Sequence, residues 1–248
     1  MTPKTIVISL LYGCISSLSL ASDTVTNTST DSAAVTREAT GKVTRVQGKV
    51  YYHENGSVRS KRIKNDKQDL FVQDMLRTKK GSQAFLTLID KSKLVLNENS
   101  VIHFNGIKQI TAEKGVVLFD IKKQGTLKGL QITTKTAVIG IKGTRFIIDA
   151  SDNSLKLYMK EGLVNVEAIN GPFKHHLKEE ESYKDYMKDM LTSFSEYKKK
   201  QEQEFVEYVE SIDVPANKAI SIDGNELNDI KIPDHIEEQF KLLDSFEE

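Results

Sequence analysis

Near the middle of the chain, Gly140-Ile141-Lys142-Gly143-Thr144 has the composition of a phosphate-gripping loop: two glycines, a lysine and a hydroxyl. A Walker loop needs G-x-x-x-x-G-K-[ST] opening a helix, so that backbone amides and the lysine converge on phosphate. Here the lysine lies between the glycines, and the run continues as Arg145-Phe146-Ile147-Ile148, which reads as a strand. A dinucleotide fingerprint fails on the same ground, since it must also open a helix. The pattern predicts instead that an apolar strand, Thr136 to Ile141, bends or bulges at Gly140 and Gly143, where a side chain would crowd a neighbouring backbone.

Other chemistry fares no better. The five histidines are His53, His103, His175, His176 and His235, and only His175-His176 are close. Adjacent side chains on a helix point about 100° apart and do not converge as an i, i+4 pair would, so these two read as surface residues. Ser82, in "KKGSQAF", lacks the G-x-S-x-G frame of a hydrolase nucleophile and reads as a turn before a strand. Seven acidic residues lie between Leu94 and Phe173, each near a turn or strand end, so no glycosidase-type carboxylate pair is legible. The basic stretch "RSKRIKNDK" has no interleaved aromatics, which argues against nucleic acid. No catalytic residue, metal set or cofactor is expected, and the chain is read as a non-enzyme.

The elements that carry these residues follow from composition and period. At 248 residues and 38% hydrophobic, the chain has enough apolar mass for one or two domains. "MTPKTIVISLLYGCISSLSLASD" has one cation at Lys4, an uncharged run from Thr5 to Ala21 and small residues at Ser19 and Ala21. Residues 1–21 are expected to be a cleaved secretory signal, which would place the rest in the periplasm or outside the cell. A lipoprotein anchored at Cys14 is the alternative, because Leu11-Tyr12-Gly13-Cys14 resembles a lipobox. Cys14 is the sole cysteine, so a chain cleaved after Ala21 could form no internal disulfide. No later segment approaches membrane-spanning length.

Residues 22–40 are dominated by Ser, Thr and Ala without period and read as a flexible linker. Residues 41–172 hold short runs of alternating apolar and polar residues punctuated about every ten residues, with no helical interruption. That texture predicts an all-β domain of many short strands, solenoid-like or sandwich-like. Asn55-Gly56 and Asp223-Gly224 read as hairpin turns.

After Asn170-Gly171-Pro172 the spacing changes. Tyr183, Met187, Met190, Phe194 and Tyr197 step by four and three, and Phe205, Tyr208 or Val209, and Ile212 resume the stripe after a slip. A long inserted helix over residues 173–213 is expected, about 50 Å for some 35 residues. Its aromatic stripe is expected to lie on the β domain or to pair with the same helix in another copy, and is otherwise a candidate surface for a different partner. Residues 214–248 should return as strands and close with a short amphipathic helix capped by Asp234.

Net charge is zero but unevenly spread: thirteen Lys/Arg against five Asp/Glu in residues 42–93, and ten against twenty in residues 174–248. Either these are two solvated surfaces, or the oppositely charged parts attract each other or meet different partners.

Several motifs in order resemble the FecR domain of bacterial envelope proteins. They are Asp90 and Ser92 before the Leu94/Leu96 strand, Ser100 after it, and Gly115 ahead of Phe119. Next come Ala137-Val138 leading through Gly140 into Gly143-Thr144-x-Phe146, and Glu161-Gly162 ahead of Val164 and Val166. The resemblance spans about residues 42–168. It implies an all-β interaction and sensory module acting outside the cytoplasm without catalysis, with an envelope protein as partner. Where the family commonly has Asp-Gly-Ser, this chain has Asp90-Lys91-Ser92, so that turn must be made without glycine. Family members that govern sigma factors carry a cytoplasmic domain and a transmembrane helix ahead of the module. A signal-like segment stands there in this sequence, so the resemblance does not extend to direct sigma-factor inhibition. The alternative reading is a carbohydrate- or peptidoglycan-associated structural module.

Overall fold

The computed structural model describes residues 37–64, 67–123, 129–177 and 205–247. Their strands form two facing β-sheets that share one long strand, β9 (Gln109–Asp120).

The first sheet runs, in spatial order, β4 (Gln68–Phe71), β1 (Ala39–Gln47), β6 (Gln83–Leu88), β7 (Lys93–Leu96), the second half of β9, β12 (Arg145–Ala150), β13 (Ser154–Glu161), β18 (Ala219–Asp223), β19 (Glu226–Ile230), β15 (Phe173–Leu177) and β16 (Phe205–Val209). The second runs β3 (Lys61–Arg62), β2 (Val50–His53), β5 (Met75–Thr78), β8 (Val101–Gly106), the first half of β9, β10 (Leu130–Thr133), β11 (Ala137–Ile141), β14 (Leu163–Ala168) and β17 (Ser211–Pro215). Both sheets are open, and all pairings are antiparallel except β9 with β10 and β15 with β19. The all-β expectation holds, and the choice left open in the sequence falls to two packed sheets.

Alternation explains the core. Leu76, Ile102, Ile110, Ile132, Ile139 and Val166 point inward from the second sheet to meet Leu86, Leu94, Phe119, Phe146, Ile148 and Leu157 from the first. Phe119 and Phe146 are cross-strand partners whose rings stack at 4.9 Å. β9 changes sheet at Gly115, whose φ is +93°, and a Cβ there would lie 2.6 Å from the Ser100 Cα. Only glycine fits that crossing.

The central strands of the first sheet are buried on both faces. Phe85, Val95, Leu118, Ile147, Tyr158 and Ala219 are successive register partners on β6, β7, β9, β12, β13 and β18, and so form one apolar row across its outer side. The terminal helix α1 (Asp234–Asp244) places Ile236, Phe240 and Leu243 on that row, all three buried. The following turn adds Phe246, edge-on to Phe85 at 5.4 Å. Polar contacts hold the rim: Arg145 donates to the Phe240 carbonyl at 3.0 Å and pairs with Asp244, and Lys160 pairs with Glu237. These two acids of the helix thus meet cations of β12 and β13, not of the basic segment 42–93. Pro233 occupies the helix N-cap, and Asp234 is the first helical residue instead of the cap.

Three expectations need correction. Phe173–Leu177 and Phe205–Val209 are paired strands, and Ser211–Pro215 is a third, so a helix does not span residues 173–213. Phe173, Val214 and the partly buried Val209 and Ile212 reach the core from strands, and sheet pairing overrides the helical spacing that Val209 and Ile212 share with the upstream stripe. Tyr183, Met187, Met190, Phe194 and Tyr197 lie outside the described residues. The second correction is that β1 begins at Ala39 with Thr40 buried, so the segment read as a linker ends earlier. The third is that His175 is buried on β15, with Nε2 3.6 Å from the Asp229 carboxylate, while His176 faces the other side and meets Glu226. They are neither helical nor both on the surface.

Candidate interaction face

The two outer faces of the sandwich differ in chemistry. Against the apolar row under α1, the second sheet presents His53, Met75, His103, Thr111, Thr133, Val138, Glu167 and Ser211 as successive register partners from β2 to β17. A parallel row reads Gln109, Gln131, Gly140, Asn165 and Asp213. Among the described residues no element packs over these rows. Side chains on this face are half-buried or exposed, the state of a one-sided sheet whose polar rows face solvent.

Two of the depressions on this face lie toward its charged ends. One, of about 530 Å³, lies over Gly140, with Gln131, Lys142, Asn165, Glu167 and Asp213 around it. Gly140 makes its floor by having no side chain, and the nearest atom to a Cβ there would be the Asn165 carbonyl oxygen at 3.9 Å. Asn165 donates to Asp213 at 2.8 Å, which orients both side chains along the wall. The other depression, about 450 Å³, lies at the opposite end between Tyr51, His53, Ser60, Met75, Arg77 and Lys79. The face thus runs from basic to acidic across the sheet.

Val138 and Gly140 lie on this face, while the motif residues around Asp90, Gly115, Gly143 and Gly162 hold turns and crossings. Asp90 accepts from the Ser92 amide at 2.9 Å, and the buried Ser92 hydroxyl accepts from the Lys122 amide at 3.1 Å. Lys91 sits between them at φ +66°, the left-handed conformation that glycine supplies in the family pattern. Gly143 is at φ +70°, and a Cβ on it would lie 2.7 Å from the Lys123 Cβ and 2.9 Å from its Cα. Crowding is therefore real at Gly143 and absent at Gly140, which lies within β11 and causes no bend. Gly162, after Glu161, packs its backbone against Thr144 in the same way. No helix begins at Gly143; it joins β11 to β12. Ser82 is buried and its hydroxyl accepts from the Lys49 amide at 2.9 Å, a structural role.

A buried carboxylate closes the opposite end of the sandwich. Asp74 is fully buried, accepts from the Tyr52 hydroxyl at 2.6 Å and from the amides of Phe71 at 2.8 Å and Asn55 at 3.1 Å, and pairs with Arg37. Burial, followed by the hydrogen bond to Asp74, pushes the Tyr52 hydroxyl up to about 12. Arg37 also pairs with Glu54 and lies over the Phe71 ring at 4.5 Å, which pins the start of the described chain. Sequence reasoning missed this node because its members lie on three separate segments, around Arg37, residues 52–55 and residues 71–74.

Among the described residues no three His, Cys, Asp or Glu side chains converge as a metal set, and no helix is long and apolar enough to cross a membrane.

An all-β sandwich with one face sealed by a helix and the other left uncovered among the described residues defines a scaffold class. Within it the match is specific: residues 74–165 match the family described as FecR protein. The match begins at Asp74 and ends on β14, so it covers the crossing at Gly115 and the motifs around Gly143. No curated protein matches the chain in sequence. Two crystal structures of a "putative anti-sigma factor" from Parabacteroides distasonis resemble it, at 14% identity and a TM-score of 0.42. The likeness covers 63% of this chain and 59% of that one, so less than two thirds of the neighbour's length is matched.

Proposed function

We propose that this chain is a non-enzymatic, FecR-type interaction module of the cell envelope, with a signalling or regulatory role exerted by binding a protein partner. The observation that carries this is the asymmetry of the sandwich. The chain's own C-terminal helix seals the apolar outer row of the first sheet, while among the described residues the polar rows of the second are left open across up to eight strands. A polar, one-sided sheet of that breadth offers a recognition surface without an organised set of catalytic groups. The periplasmic or secreted location rests on the signal-like N-terminus and on the FecR match over residues 74–165.

The test is capture from envelope extracts with the intact protein and with variants on each face. One defined envelope protein should be retained by wild type and by Glu238→Arg on the exposed side of α1. It should be lost with Gln131→Arg combined with Asn165→Arg on the second sheet. Turnover in a hydrolase screen that a single Asp or Glu substitution abolishes would overturn the non-enzymatic reading.

A further inference from the structure

The basic end of the second sheet carries chemistry that a protein-binding face does not require. Tyr51 on β2 is the register partner of Arg62 on β3 and of Arg77 on β5, so a tyrosine ring lies between two guanidinium-bearing strand positions. Lys79, just past β5, brings its ammonium to 5.9 Å from the centre of the same ring. The depression these residues help to line measures about 450 Å³, within the range of small-molecule sites. Among the described residues, the acids nearby are already engaged: Glu54 with Lys61 and Arg37, Glu113 with His103, and Asp74 in its buried node. None of the described carboxylates pairs with Arg77 or Lys79. Like charges gathered in a concave site without counter-ions raise the local potential and favour an anion.

The rest of the lining narrows that anion. Arg77 presents a planar fork matched to a carboxylate or phosphate, and Lys79 adds a point charge. The Tyr51 hydroxyl, His53 and Ser60 supply hydrogen-bonding groups suited to hydroxyls. The Tyr51 ring and Met75 supply the only broad apolar surface, suited to the C–H face of a ring. We propose that this depression is a binding site for an acidic saccharide, a sugar ring bearing a carboxylate or a phosphate. The site lies at the β3–β2–β5 end, apart from Gln131 and Asn165, and does not depend on the protein-partner reading.

Backbone-amide NMR titrations of the full chain with glucuronic acid, glucose 6-phosphate, glucose, inorganic phosphate and a short oligonucleotide test it. Both acidic sugars should shift the Tyr51 and Arg77 resonances and bind about tenfold or more tighter than glucose or phosphate alone. Affinity should fall with added salt. Arg77→Gln with Lys79→Gln should weaken the acidic sugars about tenfold or more and leave the spectrum folded, while Arg77→Lys, which keeps charge without the fork, should fall between. Equal binding of glucose would overturn the charge argument. Equal binding of inorganic phosphate would reduce the site to an anion site and overturn the saccharide. Preferential binding of the oligonucleotide, or no shift at these residues by tens of millimolar sugar, would also overturn it.

Discussion

Replacing Tyr52 by phenylalanine should make stability less sensitive to alkali, and the size of the effect follows from the buried node. The Tyr52 hydroxyl donates to Asp74 at 2.6 Å, its side chain is 4% exposed, and burial with that hydrogen bond raises it to about 12 from an ordinary value of 10. A group whose folded pKa is raised contributes stability that is complete below the unfolded pKa and is lost as pH climbs toward the folded one. Each unit corresponds to about 1.4 kcal/mol, so wild type should lose about 1.4 kcal/mol by pH 11 and about 2.7 kcal/mol beyond pH 12 through Tyr52 alone. Near pH 8, Tyr52→Phe should cost about 1.5–3 kcal/mol, the worth of a hydrogen bond to a charged group; Asp74 keeps Arg37 and two amide donors and is not orphaned. Urea unfolding followed by circular dichroism at pH 8, 9, 10 and 11 measures both proteins. The gap between them should narrow by roughly 1.4 kcal/mol from pH 8 to pH 11. A gap that stays constant over that range would refute the assignment of Tyr52 as a neutral donor to a buried carboxylate.

Gly143→Val should destabilise the fold by at least about 2 kcal/mol, because it combines left-handed backbone with a clash against the Lys123 backbone, whereas Gly140→Ala should stay within about 1 kcal/mol of wild type; chemical denaturation separates the two. Lys91→Gly should raise stability by up to about 1 kcal/mol by relieving φ +66° in the Asp90–Ser92 turn, offset in part by the freedom glycine adds to the unfolded chain. Phe240→Ala should cost about 3–5 kcal/mol if the helix stays docked on the Ile147 and Tyr158 row, with increased binding of a hydrophobic dye as the accompanying sign.

Much of the architecture was readable in the residues, and the parts that were not share a cause. Single-sided strands such as Leu163–Ala168 announce themselves by alternation, with Val164 and Val166 inward and Asn165 outward. The second buried face was also written in the text, in the triplets "AFL", "LVL", "VLF", "FII" and "LYM", each of which fills both sides of a strand. Those runs signal a cover, but not that the last eleven-residue helix supplies it. The stripe through Phe205, Val209 and Ile212 misled because spacings of three and four fit a helix face, while strand pairing with β15 and β14 is non-local and leaves no mark in sequence. The Arg62–Tyr51–Arg77 arrangement was legible only as a surplus of positive charge over residues 42–93. Its face is set by the register of three strands, one reached through a seven-residue loop and one from more than twenty residues away. Gly143 was identified correctly from its frame, and Gly140 was not, because a glycine that opens a surface and one that avoids a clash look alike as letters.

The central claim is that the open face of the second sheet, and not the helix-sealed face, meets the partner. A photo-crosslinking side chain placed at Gln131, at Asn165 or at Glu238 in the full chain, followed by irradiation in intact cells and mass spectrometry, tests it directly. The structure predicts that Gln131 and Asn165 join to one and the same envelope protein and that Glu238 joins to none. Crosslinking from Glu238 alone, or none from either sheet position, would contradict it.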